Sequence, residues 1–269
     1  MIQPATGWTG VPLRELWAFR ELLVLLVWRE IKIRYRQTVL GAAWAILQPL
    51  AMMATFAVFF GRMAGLARTT GSVAYPIYVY AGLLPWLFFA ASVQNGAASV
   101  HNNASLITKI YFPRLVIPLA SVGAALVDFA VSFAVLVVLM IVYGTALTWQ
   151  IVLFPVLLVV TIAAATAVAT IFSALTVAFR DFRYVIPFVI QLGMFLTPVI
   201  YPITIIPARW RWLLKLNPMA GLIDGFRSAL LGVPADWAGM GIALVVTGLL
   251  LWAGAWEFRR LERRFADLI

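Results

Sequence analysis

The sequence predicts an all-α integral membrane protein. It should have six transmembrane helices, an N-terminal amphipathic interface helix and short re-entrant helices in the last external loop. Three observations predict this. Of the 269 residues, 64% are hydrophobic and only 11% are charged, a balance foreign to soluble domains. Six apolar segments, near 39–61, 74–98, 115–143, 150–179, 184–203 and 238–257, reach the roughly 20 helical residues that cross a bilayer core. Finally, the polar-basic run from Arg29 to Gln37 gives way at once to an apolar run from Thr38 to Leu50, with Trp44 just inside it. Cations outside and an indole at the boundary mark a membrane entry point. Residues 1–269 thus read as a single transmembrane domain, with an arm over 13–36, a six-helix membrane domain over 39–257 and a tail over 258–269.

The arm comes first. Met1 to Gly10 is nearly uncharged and lacks the pattern of a cleavable signal. Arg14, Glu15, Arg20, Glu21, Arg29 and Glu30 then alternate with Leu16, Trp17, Leu23, Val24, Val27 and Trp28, which suits a helix lying in the interface plane. A seventh span fails on length, because Leu22–Trp28 is too short to cross. In the first span Gln48 and Pro49 interrupt the apolar run. The second holds Leu84-Pro85-Trp86. The third and fourth are long enough to tilt or project. Between the fifth and sixth lies a loop over about 204–237 that is too apolar to float free. Asn217-Pro218 opens a helix-like stretch there, and Gly232 with Pro234 closes it. Such a segment should dip back into the membrane, shielded by protein rather than lipid.

Charge sets the orientation. Of the 20 Lys and Arg residues, only Arg62, Arg68, Arg209, Arg211, Lys215 and Arg227 fall on one side of the six-span arrangement. The other side, with the arm, the second and fourth loops and the tail, should be cytoplasmic, with both termini inside. The same argument accounts for the net charge of +10 without nucleic acid.

Several chemistries are missing. Only three lysines occur, Lys32, Lys109 and Lys215, and none follows a glycine, so the chain cannot build a P-loop. The absence of cysteine removes disulfides and thiolate metal sites. His101 is a lone histidine in a predicted cytoplasmic loop. Neither a metal-ligand spacing nor a pair of intramembrane carboxylates is visible, and no catalytic residue is expected. Asp128, near the middle of the third span, is costly in hydrocarbon by roughly 2.5–3.5 kcal/mol, so it should face a partner or water. A proton-relay role would need a second intramembrane acid or base, so a buried polar contact or pore wetting is the better reading.

Two sets of residues invite a functional reading. In the second loop Asn102, Asn103 and Ser105 suit a helix start. Leu106, Ile107 and Ile110 form a small apolar face, and Pro113 stops the turn. This is either a plain amphipathic connector or a helix that docks on a cytoplasmic motor. Aromatic residues also recur at helical spacing. Tyr75, Tyr78, Trp86 and Phe89 share a stripe with Gly82, Phe56 shares a face with Phe59 and Phe60, and Phe188 and Phe195 flank Gln191. Interfacial aromatics usually form the belt. The Tyr75–Phe89 stripe runs too deep for that, and its rings could let sugars slide on flat apolar faces. Gln48, Phe56, Phe60, Tyr78, Trp86, Phe89 and Phe195 are therefore candidate channel-lining residues.

Four blocks together resemble a known family. They are Ile31-Lys32-Ile33-Arg34-Tyr35-Arg36-Gln37-Thr38-Val39-Leu40-Gly41 through Trp44 and Gln48-Pro49; Ile110-Tyr111-Phe112-Pro113-Arg114; Arg180-Asp181-Phe182-Arg183-Tyr184; and Leu216-Asn217-Pro218 through Gly225-Phe226-Arg227 and Leu230-Leu231-Gly232. The chain is similar to permease subunits of type-2 ABC exporters of lipid-linked polysaccharide, above all O-antigen exporter permeases, and also those for capsule and teichoic acid. The resemblance implies a half-transporter in the bacterial cytoplasmic membrane. Two copies would form the pore for an undecaprenyl-type lipid-linked glycan amid membrane lipids. Two copies of a separate ABC ATPase would carry ATP and Mg, leaving this chain without a cofactor.

Arg29, Arg34 and Arg36 of the arm, and Asn102, Ser105, Leu106, Ile107, Lys109, Ile110 and Tyr111 of the second loop, would then contact that ATPase. Trp210, Trp212, Ile223 and Phe226 would belong to an external gate. Permeases of the same superfamily for drugs or simple lipids, and a proton-driven flippase acting alone, are the competing readings.

Overall fold

A computed structural model describes residues 13–36 and 41–262. The basic run's end at Gln37, the residues Thr38–Leu40 and the tail arginines Arg263 and Arg264 lie outside the described residues. The helices are α1 (Leu13–Ala18), α2 (Arg20–Tyr35), α3 (Trp44–Phe56), α4 (Tyr75–Asn102), α5 (Ala104–Lys109), α6 (Val116–Val142), α7 (Phe154–Ala178), α8 (Phe182–Leu196), α9 (Ala208–Lys215), α10 (Pro218–Leu231) and α11 (Trp237–Glu262). A π-helical segment, Ala57–Met63, extends α3. Five helical stretches are long and apolar enough to span: Trp44–Met63, Tyr75–Asn102, Val116–Val142, Trp149–Ala178 and Trp237–Leu261.

The remaining expected span, near 184–203, is helical only as α8, which has 15 residues and is thus about 22 Å long. Thr197-Pro198 explains the stop. A residue before proline is driven out of the helical region, and Thr197 has ψ 142°. Proline also lacks the N–H that would continue the ladder. The proline inside α4 does not have this effect: α4 runs unbroken through Leu84-Pro85-Trp86.

Helix α4 is the hub. It packs against α3, α6, α7, α8 and α10, and 72% of its most apolar window is buried, against 11% for the Trp44–Met63 span. Its small residues Ala81, Gly82, Ser92, Gly96 and Ala97 let neighbours approach closely, as small residues do in membrane bundles. The main apolar core runs through α4, α6, α7 and α10. Five phenylalanines join these helices. Phe88 meets Phe129 at 5.6 Å, Phe129 meets Phe226 at 6.3 Å, Phe154 meets Phe226 at 5.6 Å and Phe133 stacks on Phe154 at 4.7 Å. A second, smaller cluster gathers Leu26 of the arm, Val100, Phe112, Val116, Ile117, Ala174 and Phe258. It binds the arm to the ends of α4, α6, α7 and α11 on the loop-and-tail side.

Candidate functional site

Two polar knots, one built on the arm and one where α8 stops, organise the candidate sites. The first joins the arm to the second loop and to α6. Its starting point is close packing: a Cβ on Gly123 of α6 would lie 2.7 Å from Val27 Cγ2, so only glycine lets α2 lie this close. Further along both helices, Arg34 pairs with Asp128, and the Tyr35 hydroxyl donates to the other carboxylate oxygen. Burial, and then the Asp128 carboxylate, push the Tyr35 phenol up to about 12, so it stays a donor at any working pH. The expected polar contact of Asp128 is present, and it is made by the arm.

Just before this pair on α2, Arg29 donates to Asn103 Oδ1, and Asn103 Nδ2 donates to Ser99 O at 2.8 Å. Helix α5 forms where expected. Its expected single apolar face is split, however. Leu106 and Ile107 pack inward on the small core with Leu16, Leu22 and Leu23, whereas Ile110 is 56% and Tyr111 79% exposed. Asn102, Ser105 and Lys109 are exposed too, as is Arg36. Of the residues expected to touch a partner, Arg29, Arg34, Leu106 and Ile107 are thus engaged inside the chain. The inward face wins because the arm supplies apolar partners for it.

The second knot sits where α8 stops. Ending a helix at Thr197-Pro198 strips the following carbonyls of their ladder partners, and a buried carbonyl without a donor is costly. Donors arrive from α10 with its N-cap and from α4. Arg227 of α10, only 1% exposed, donates to Pro198 O at 2.8 Å, Val199 O at 2.5 Å and Tyr78 O at 3.3 Å. Its guanidinium lies 3.8 Å from the Tyr78 ring centroid and 3.4 Å from Asp224 Oδ1. Tyr75 donates to Ile200 O at 2.8 Å, and Asn217 Nδ2 to Thr197 Oγ1 at 2.8 Å.

Gly82 makes room for the guanidinium, since a Cβ there would sit 2.5 Å from Arg227 Nη2. Asn217 also caps α10, accepting from Met219 N at 3.0 Å. Helix α10 is buried along nearly its whole length, and α9 lies exposed beside it, tied by Lys215 to Asp236 at 2.6 Å. Of the short helices expected in the long loop, α10 is thus shielded by protein and α9 is not.

The aromatic stripe needs correction. Tyr78 and Trp86 are each 4% exposed, so they face neither a channel nor lipid in this chain. Tyr78 lies under Arg227, and Trp86 packs beside Phe89 at 5.7 Å and close to Gly193. Phe56, Phe60 and Phe89 are half-buried against the core, while Gln48 and Phe195 are exposed. Among the gate candidates, Ile223 and Phe226 are core residues at 0% exposure, whereas Trp210 and Trp212 are exposed. The stripe was legible as one helix face. Its burial follows from α4 being surrounded, which spacing alone does not reveal.

Asp128, Tyr35, Asn103 and Arg227 are the residues that sequence reasoning left off its site list. Each had a signal: an acid inside a span, two residues of the arm and loop blocks, and an arginine within an otherwise apolar re-entrant stretch. Among the described residues no group of three His, Cys, Asp or Glu could hold a metal ion.

Comparison with known proteins agrees with this architecture. Residues 21–231, from the arm to the end of α10, match the family described as ABC-2 type transporter. The chain is 34% identical over 259 residues to the O-antigen export system permease protein RfbA of Myxococcus xanthus, covering 95% of this chain and 98% of that protein. It is 31% identical over 251 residues to the protein of the same name from Klebsiella pneumoniae, covering 93% and 95%. To the polysialic acid transport protein KpsM of Escherichia coli it is 25% identical over 240 residues, covering 87% and 91%. With its apolar spans, its short helices α9 and α10 and its full-length similarity to permeases, the chain belongs to the ABC-2 type transporter family as a multi-pass membrane permease, the transmembrane subunit and not the ATPase.

Proposed function

We propose that this permease exports a lipid-linked polysaccharide of the O-antigen type across the bacterial inner membrane, driven by ATP hydrolysis on a separate ABC ATPase. The observation that carries the substrate class is the end-to-end similarity to proteins named as O-antigen export permeases, with a polysialic acid transport protein among the more distant relatives. Two copies assemble with two ATPases. Helices α3 and α8 support this, because both leave long apolar faces uncovered in the single chain, including Leu47, Val58 and Phe59 on one and Phe188, Leu192 and Phe195 on the other.

The exposed edge of the second loop, with Lys109, Ile110 and Tyr111, receives the ATPase, and the arm and α5 move with it. Gln48 and Phe195 face the path, flanked by the half-buried Phe56, Phe60 and Phe89. The hairpin of α9 and α10, with Trp210 and Trp212 on its exposed side, closes the outer end. Both termini are cytoplasmic. Burial of Arg227 strengthens the charge bias behind this orientation, because a buried arginine is not a loop charge.

The test is genetic and biochemical. Deleting the gene should abolish surface polysaccharide while lipid-linked chains accumulate inside, and the purified complex should have the mass of two permeases and two ATPases. Wild-type surface polysaccharide in the deletion strain would reject the substrate, and a functional single permease without an ATPase would reject the machine.

A further inference from the structure

Asp128 takes no part in any catalytic or metal chemistry, yet both its carboxylate oxygens are engaged by consecutive residues of the arm. From the exporter reading above, we infer that Arg34, Tyr35 and Asp128 form a clasp that stays closed through the transport cycle and carries movement of the arm into α6. Asp128 is then a positioning residue for coupling.

The placement of the clasp suggests that role. Apolar seams resist separation but leave sliding cheap, because the hydrophobic effect has no direction. The arm meets α6 across such a seam, at Val27 over Gly123. A carboxylate held by a guanidinium on one oxygen and a phenol on the other fixes the register that the seam leaves free. At its other fixing, Arg29 ties the arm to Asn103 at the start of α5, the helix that leads to the exposed Ile110 and Tyr111. The arm is therefore a bar pinned to the ATPase-facing loop at one point and to α6 at another.

The next residue of α6 is Phe129, whose ring meets Phe226 of α10 edge to face at 6.3 Å. Phe226 in turn precedes Arg227, the centre of the outer knot. One helix thus joins the clasp to the re-entrant hairpin without a loop between them. The clasp is only partly buried, with 28% and 26% of its two charged side chains exposed. Within a span an unpaired carboxylate would be costly, so the pair has reason to persist.

The experiment uses the complete complex of permease and ATPase in proteoliposomes, with lipid-linked polysaccharide extracted from the producing cells as the probe. ATP hydrolysis and glycan export are measured side by side for wild type, Asp128→Asn, Arg34→Asp, and the exchanged pair Arg34→Asp with Asp128→Arg. The inference expects Asp128→Asn and Arg34→Asp to cut export on the order of tenfold, within the range of coupling free energies. In Asp128→Asn, which leaves no carboxylate unpaired in the span, ATP hydrolysis and the yield of assembled complex should stay at wild-type level, so less glycan moves per ATP. The exchanged pair should recover most of the export.

Normal export in Asp128→Asn would overturn the inference. So would an exchanged pair no better than the single variants. Parallel loss of hydrolysis, yield and export would also overturn it, because that is the signature of a merely structural contact. A wild-type complex that hydrolyses ATP but exports none of this glycan would instead reject the exporter reading itself.

Discussion

The two ends of this permease each place an arginine from a short helix onto a longer structure, but they do so in opposite ways. At the arm Arg34 meets one carboxylate, and both partners remain partly exposed in this chain. At the outer end Arg227 is sealed from solvent and satisfies three backbone carbonyls, an aromatic face and a carboxylate together. A half-exposed pair contributes modestly to stability. A buried arginine that completes a broken helix is indispensable, because removing it leaves several acceptors with no donor. The Arg227 knot therefore holds the hairpin to α4 and α8 as one unit, whereas on the coupling inference above the Arg34–Asp128 clasp is where force enters.

Breaking the outer knot should have the largest effect. Arg227→Leu strands the carbonyls of Pro198 and Val199 and leaves Asp224 without its partner, a loss on the order of 3–5 kcal/mol for a broken buried pair. Little folded protein should remain in a detergent melt. Arg227→Lys should recover only part of the loss, since an ammonium cannot fork across two carbonyls as a guanidinium does. Gly82→Ala tests the same knot from below. Its new methyl would contact both the guanidinium and Val199 O, and overpacking of that kind costs about 1–3 kcal/mol.

The inner end should behave differently under mutation. Ile110→Ser with Tyr111→Ala alters an exposed edge, so folding should be unchanged while ATPase affinity in a pull-down falls about tenfold, as loss of a modest hot spot would produce. If Leu106 and Ile107 are made polar instead, the arm itself should loosen, because these side chains support the small core. Protease sensitivity of residues 13–36 would report that.

The smallest effect belongs to the ion pair of Lys215 and Asp236. Burial works against the charged form of Asp236, but Lys215 and the Gly239 amide outweigh it and hold its carboxyl below the usual range. The stability this lends is complete above the unfolded value near 3.9 and is lost only as pH falls through the lower folded value. Tethering of α9 should therefore be insensitive to pH between 5 and 8, and Lys215→Met should shift the melt by about 1 kcal/mol or less.

Much of this fold was legible in the sequence, for reasons that differ by element. The long spans announced themselves through length and hydropathy, which are properties of single segments. The arm was marked by charge alternation and the short α5 by its helix-start residues, although Asn103 turns its side chain to Arg29 and Ser99 and caps nothing. The re-entrant α10 was visible because Asn217-Pro218 and Gly232 bracket a stretch too apolar for a loop.

What stayed hidden depends on neighbours. The stripe of Tyr78 and Trp86 has the same spacing whether it faces a channel, lipid or a core, and only the position of α4 at the hub decides for burial. Leu106 and Ile107 turn inward because the arm happens to cover them. Arg227 read as a loop cation, since nothing local shows that Pro198 leaves carbonyls in need of donors. The end of α8 was written in Thr197-Pro198, but the apolar composition up to residue 203 masked it.

Hydrogen–deuterium exchange on the permease–ATPase complex, compared with and without a nonhydrolysable ATP analogue, tests the contrast between the two ends most directly. If the inner end takes the stroke and the outer knot travels as a unit, exchange will change at residues 13–36 and 103–111. Amides of Val199 and of α10 will then stay protected in both states. Unchanged exchange in the arm and second loop, together with loss of protection across 197–201 and 218–231 on adding nucleotide, would contradict it.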